Sequence, residues 1–117
     1  MDLVPSHSSD TNGMIDWRPM VSAMLDDLRR GCRLERIAGR FHMGLAEATV
    51  RVAQAAGLPR VALTGGCFQN RLLLSLVRRQ LEEAGFAVYS HALVPPNDGG
   101  LSLGQAVVAA HSVSREV

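Results

Sequence analysis

Two diglycine turns constrain this chain more than any other feature of its sequence. The first lies within Val61-Ala62-Leu63-Thr64-Gly65-Gly66-Cys67-Phe68-Gln69-Asn70 and the second within Pro95-Pro96-Asn97-Asp98-Gly99-Gly100. Each follows a short apolar run that reads as a strand, and each opens a segment of helical periodicity. If the two strands are parallel neighbours, both turns meet at the carboxyl edge of one sheet. Open α/β sheets bind ligands outside that edge, and glycine lets a backbone approach a ligand with no Cβ between them. Nucleotide handling is the first function this pattern suggests.

At 117 residues the chain is one ordinary domain or a piece of a larger one, and 47% apolar with 20% charged residues fits a globular protein. A net charge of +1 gives no argument for nucleic acid or an anionic membrane as partner. All twelve basic residues are arginine. The absence of lysine excludes a Walker-type phosphate lysine, a Schiff-base lysine and a lysine general base within this sequence. No apolar stretch approaches the roughly 20 residues a membrane span needs, and the first residues lack the pattern of a signal peptide. Cys32 and Cys67 make no CxxC motif and no disulfide framework. These features point to a reducing cytoplasm.

Residues 1 to 14, rich in Ser, Asp and Asn, read as a flexible leading segment, and residues 15 to 117 as the folded part. A first helix is predicted from near Asp16 or Arg18 to Gly31, with an apolar stripe of Trp17, Val21, Met24, Leu25 and Leu28. The next helix carries Leu34, Ile37, Phe41, Leu45, Ala48, Val52 and Ala55 at steps of three and four, which predicts one buried face; Gly57 and Pro59 end it. Arg60 to Thr64 is a short strand. The helix after it buries Leu73, Leu76 or Val77, and Leu81, and stops at Gly85. Phe86 to Ser90 alternates Phe, Val and Ser with Ala and Tyr, as a half-buried strand does. Pro95-Pro96 then breaks the chain, and Leu101 to His111 forms a closing helix. The order α-α-β-α-β-α with right-handed crossovers gives a parallel pair. Two strands make a thin sheet for so apolar a chain, so either the leading segment adds a strand or the chain is the tail of a larger sheet.

Gly65-Gly66 either exposes N–H groups to an anion, with a helix dipole behind, or is simply a tight turn into a helix capped by Asn70. Asn70 itself caps that helix or meets a ligand hydroxyl. Asp98 is a metal-binding carboxylate at the sheet edge or a helix N-cap. Cys67 sits near a helix start with no histidine close in sequence, and is expected to pack as a small apolar side chain. His42 reads as a hydrogen-bonded or partly exposed helix residue, and His91 and His111 have no ligand spacing. There is no HxxxH, HxH or HExxH motif to build a histidine-rich metal site. The arginines at 29, 30, 33, 36 and 40 read as a solvated face rather than an RNA-binding one.

Taken together, Ile37 to His42, Leu63 to Asn70 and Pro95 to Ala106 resemble the C-terminal end of HypF, the family of carbamoyltransferases that mature nickel–iron hydrogenases. The likeness runs over about residues 15 to 111, a small final part of the family's multidomain protein. The combination of GG-x-FQN and PPNDGG-x-x-LGQA is specific where either diglycine alone is weak. The resemblance implies an α/β fold, the C-terminal lobe of a ribonuclease-H-like ATPase of the sugar-kinase, Hsp70 and actin type, in a Kae-like carbamoyltransferase domain. It implies that Gly65, Gly66 and Asn70 contact an adenylate and that Asp98 binds a divalent metal, with Asn97 and Gly99 beside it as further nucleotide-binding residues. It implies ATP and carbamoyl-adenylate as ligands, and as partners a HypE-like protein, whose C-terminal cysteine is carbamoylated, and the remainder of a HypF-like chain. The family's acylphosphatase-like, zinc-finger and YrdC-like domains and its HxxxH metal motif are not in this sequence. One wall of a two-walled cleft is therefore expected, inactive alone. Two further readings are a non-catalytic assembly module, able to dimerise through an exposed sheet edge, and a small flavodoxin-like nucleotide binder.

Overall fold

The computed structural model describes residues 15–113, so the expected leading segment lies outside the described residues. Helix α1 spans Arg18–Arg29 and α2 spans Leu34–Ala56; strand β1 is Arg60–Leu63, α3 Arg71–Glu83, β2 Ala87–Ser90 and α4 Leu101–Val113. The element order is the one the periodicity predicts. Two short 3₁₀ turns that it does not predict, Gly66–Gln69 and Asp98–Gly100, stand between each diglycine and its helix.

Local chemistry explains the boundaries. The Asp16 carboxylate accepts from Arg18 N–H at 3.0 Å and so caps α1 from outside its first turn, while Pro19 occupies that turn. The left-handed Gly57, φ 66°, closes α2 with its N–H on the carbonyls of Ala53 and Gln54. Asn70 Oδ1 caps α3, accepting from Leu72 and Leu73 N–H at 3.0 and 3.1 Å.

β1 and β2 pair in parallel, Arg60 opposite Ala87 through Leu63 opposite Ser90, and form a two-stranded sheet among the described residues. One face is packed. Ala46 and Ala53 of α2, Leu63 of β1 and Leu73, Val77 and Leu81 of α3 form the core, with Phe68, Phe86, Val61 and Val88 against it. The expected alternation in β2 is present: Val88 and Ser90 are half-buried while Ala87 and Tyr89 are exposed. On the other face Ala62 and Tyr89 are open, and α4 is exposed along its length.

Two expected stripes are corrected by the structure. On α2 the face that meets α3 is Ala46, Val50 and Ala53, while Leu34 and Val52 are 69% and 51% exposed. The middle of the expected stripe holds, with Ile37 and Ala48 buried and Phe41 and Leu45 half-buried, while Leu34, Val52 and Ala55 at its two ends are exposed and Ala46 and Ala53 are buried in the core beside it. On α1, Trp17, Val21, Leu25 and Leu28 are exposed, and the buried residues are Met20 and Asp27. Beside the buried Met20, an ion pair links α1 to α2: Arg40 Nη1 donates to the buried Asp27 carboxylate, and Cys32 Sγ lies 3.8 Å from its other oxygen. The Arg40 hydrogen bond holds the Asp27 carboxyl below the usual carboxylate range and raises Arg40 in turn.

A depressed folded-state pKa means that ionised Asp27 favours the fold at every pH above the unfolded value of about 3.9, and that this is lost as pH falls through the lower folded value. Asp27→Asn is accordingly expected to melt below the unaltered chain at pH 7. In thermal melts between pH 7 and 2, the gap between the two should hold to about pH 5 and then narrow.

Candidate functional site

The parallel register sets Thr64 and His91 side by side, because each follows the last paired residue of its strand. From there the two diglycine segments turn towards each other. Gly65 N–H donates to the Pro96 carbonyl at 2.7 Å, joining the first loop to the second. Gly65 sits at φ 107° and ψ 154°, a region essentially restricted to glycine. Gly100 is required for a different reason: a Cβ there would lie 2.9 Å from the Pro95 carbonyl oxygen. Both strands thus end on one rim, as their sequence pattern predicts.

Above the rim is a cleft of about 690 Å³, within the range of small-molecule sites. Thr64, Gly65, Gly66, His91, Asn97 and Asp98 form its polar end. Pro95, Pro96, Leu101 and Val108 form an apolar wall that continues onto α4. Four of the residues expected at the site, Gly65, Gly66, Asn97 and Asp98, are therefore brought together. Gly99 lies in the turn beneath them, and Gly100 lines the cleft beside it.

Asn97 settles one alternative left open by the sequence. Its Oδ1 accepts from Gly99 N–H at 3.1 Å and its carbonyl from Gly100 N–H at 3.0 Å, so Asn97 is the cap. Asp98 is exposed, and no described residue donates a hydrogen bond to its carboxylate. No grouping of three His, Cys, Asp or Glu able to hold a metal ion occurs among the described residues. A single carboxylate is not a metal centre, so these residues alone do not fit one.

Asn70 stands apart from the cleft lining. Its oxygen is committed to the α3 cap, and its Nδ2 lies 2.9 Å from His42 Nε2. His42 Nδ1 is 2.8 Å from the Ala38 carbonyl, which can only accept, so Nδ1 carries the proton and Nε2 accepts from Asn70. One amide N–H of Asn70 is left over. The expected dipole of the helix behind Gly65-Gly66 is also displaced: a 3₁₀ turn intervenes, and Asn70 already occupies the first α3 donors. Cys67 is exposed rather than packed, because that turn lifts it off the core.

Sequence reasoning overlooked Thr64 and His91, whose Oγ1 and Nε2 are 2.9 Å apart at the rim. Aligning the two strands in parallel from their apolar residues would have found them. Gly65→Ala should cost about 1–3 kcal/mol in urea unfolding from backbone strain. Gly100→Ala is expected to destabilise through the Pro95 clash, whereas Gly104→Ala, with nothing near its Cβ position, should be close to neutral or stabilising.

Comparison with known proteins gives a consistent relationship. Residues 3–105 match the family described as "Carbamoyltransferase, Kae1-like Domain, second subdomain". The chain is 41% identical over 91 residues to the carbamoyltransferase HypF of Synechocystis sp., covering 78% of this chain and 12% of that protein. It is 41% identical over 102 residues to HypF of Rhodobacter capsulatus, covering 84% and 13%. Full-length HypF solved in its phosphate- and nucleotide-bound form superposes with a TM-score of 0.81 at 37% identity, over 87% of this chain and 14% of that one. HypF of T. kodakarensis superposes at 0.72 with 26% identity, over the same shares. The chain thus spans about an eighth of the length of these relatives.

Proposed function

The chain belongs to the HypF carbamoyltransferase family, as the second subdomain of its Kae1-like domain, and from that premise we propose that it supplies the nucleotide-contacting wall of a two-walled active site. The observation that carries this reading is the Gly65–Pro96 hydrogen bond, which fuses two strand-end loops into one rim beneath a cleft of nucleotide size. Bound there, ATP or carbamoyl-adenylate would bring the phosphates and the adenosine that the transfer chemistry uses. Gly65 and Gly66 offer a backbone without side chains. Asn97 and Gly99 hold the second loop in shape, and Asn70 presents its remaining amide N–H from the neighbouring helix start. Asp98 would supply at most one oxygen ligand to a divalent cation, and the remaining ligands would have to come from outside the described residues.

In the whole protein, this wall would serve the conversion of carbamoyl phosphate and ATP to carbamoyl-adenylate and transfer of the carbamoyl group to the C-terminal cysteine of a HypE-like partner, in hydrogenase maturation. The wall is half of a ribonuclease-H-like lobe pair. Its bare sheet face, the open edge of β1 and the exposed α4 are where the rest of a HypF-like chain packs. Alone it does not close over phosphates and exclude water, so we place no catalysis in the isolated chain. Two free cysteines and no helix among the described residues long and apolar enough to cross a membrane fit a cytoplasmic protein. The open β1 edge also supports a second reading, an assembly module that pairs with a copy of itself.

ATP at ten times its Kd is expected to raise the melting temperature by roughly 5–10 °C, the equivalent of about 1.4 kcal/mol for a domain of this size. Asn70→Asp keeps an equally good N-cap but cannot donate. Because it also loses the donor to His42 Nε2, it should melt somewhat below the unaltered chain and, still folded, bind ATP at least about tenfold more weakly, while Cys67→Ala binds normally. No shift with millimolar ATP, together with concentration-dependent dimerisation, would favour the assembly module.

A further inference from the structure

Thr64, His91 and Gln105 are the polar residues of the cleft to which the nucleotide reading gives no task. Of these, Gln105 lies on α4, while Thr64 and His91 stand together at the strand ends. Both are exposed, both line the cleft, and the 2.9 Å separation of Oγ1 and Nε2 makes them a hydrogen-bonded pair. They come from the two different strands, and the parallel register that aligns Leu63 with Ser90 puts them together at the carboxyl edge. A threonine hydroxyl has one donor hydrogen and two acceptor lone pairs. The pair has two arrangements, set by the His91 tautomer. In the one with the proton on Nε2, that N–H donates into one Thr64 lone pair and the Thr64 hydrogen is left to meet a ligand, so an acceptor in the cleft selects this tautomer.

The surroundings decide where. Along the wall of Pro95, Pro96, Leu101 and Val108 the one polar side chain is Gln105 of α4, so this side suits the flat, largely apolar surface of a base with its few polar edge atoms. Oxygen-rich parts of a ligand therefore fall at the strand ends. There Asp98 is an acceptor only, and Thr64 is the hydroxyl held in place by a neighbour. A phosphate oxygen accepts and never donates when ionised, and hydrogen bonds to charged oxygens are the strong ones.

We propose that the Thr64 hydroxyl, positioned by His91, donates a hydrogen bond to a phosphate oxygen of the bound nucleotide. This rests on the nucleotide reading and goes beyond it by naming the contact and the part of the ligand it recognises. Thr64 touches ligand; His91 acts through Thr64.

Calorimetric titration of the chain with ATP and with adenosine separates the phosphate contact from the base contact. Thr64→Val keeps the shape and removes the hydroxyl: ATP should bind about tenfold more weakly or worse, with adenosine within about twofold of the unaltered chain. Thr64→Ser restores the donor and should bring ATP binding back to within about threefold. His91→Phe leaves the hydroxyl unoriented, and is expected to weaken ATP roughly three- to tenfold while sparing adenosine. Equal effects of Thr64→Val on both ligands, or none on either, would overturn the contact while leaving the nucleotide reading intact. Unchanged ATP affinity in His91→Phe would overturn the positioning role. An unaltered chain that binds neither ligand removes the nucleotide reading and this inference with it.

Discussion

One hydrogen bond, from the Gly65 amide to the Pro96 carbonyl, turns two separate strand–loop–helix units into a single site. It forms because two conditions hold together. The strands must be parallel and in the register that ends both ladders at the same level. Gly65 must also take a backbone conformation closed to residues with a Cβ. Pro95 and Pro96 contribute by offering a carbonyl on a stretch that cannot continue a ladder of its own. Everything placed at the rim, from Thr64 and His91 to Asn97 and Asp98, inherits its position from that junction.

The packing behind the rim is one-sided. Val77 and Leu81 of α3 are almost completely buried against the sheet and the alanine face of α2, which gives β1 and β2 a firm backing. In front, α4 carries Leu101, Leu103, Val107, Val108 and Val113 in the open, and Ala62 and Tyr89 lie bare on the sheet. Parallel sheets are ordinarily covered on both faces. Apolar surface left open beside a packed sheet face is the kind that other protein surface covers. The eighth of its relatives' length that it spans agrees with that.

Much of this was legible in the residues. Short apolar runs ending in glycine pairs specified the strands, their direction and the meeting of their loops; Leu73, Val77 and Leu81 specified the packed side of α3. The errors share a cause. Periodicity ranks side chains by size and polarity, yet α2 buries Ala46 and Ala53 in the core while Leu34 and Val52 stay exposed. On α1, Met20 and the Asp27–Arg40 pair face inward, while Trp17, Val21, Leu25 and Leu28 stay exposed. The 3₁₀ turns left no periodic signal, being a single turn each. Their consequences were therefore hidden too: Cys67 raised to the surface, Asn97 rather than Asp98 as cap, and Asn70 facing His42. Thr64 and His91 were hidden differently, since their pairing exists only once the register is known.

The site exists only if the two loops are joined in solution through this hydrogen bond. Scalar coupling across the hydrogen bond between the Gly65 amide nitrogen and the Pro96 carbonyl carbon reports that junction directly, with amide exchange at Gly65 as its companion. A measurable coupling and a strongly protected Gly65 amide is the expected result. No coupling, with Gly65 exchanging as freely as an unstructured chain, would mean that the strand ends do not share a rim and that the cleft does not exist as a site.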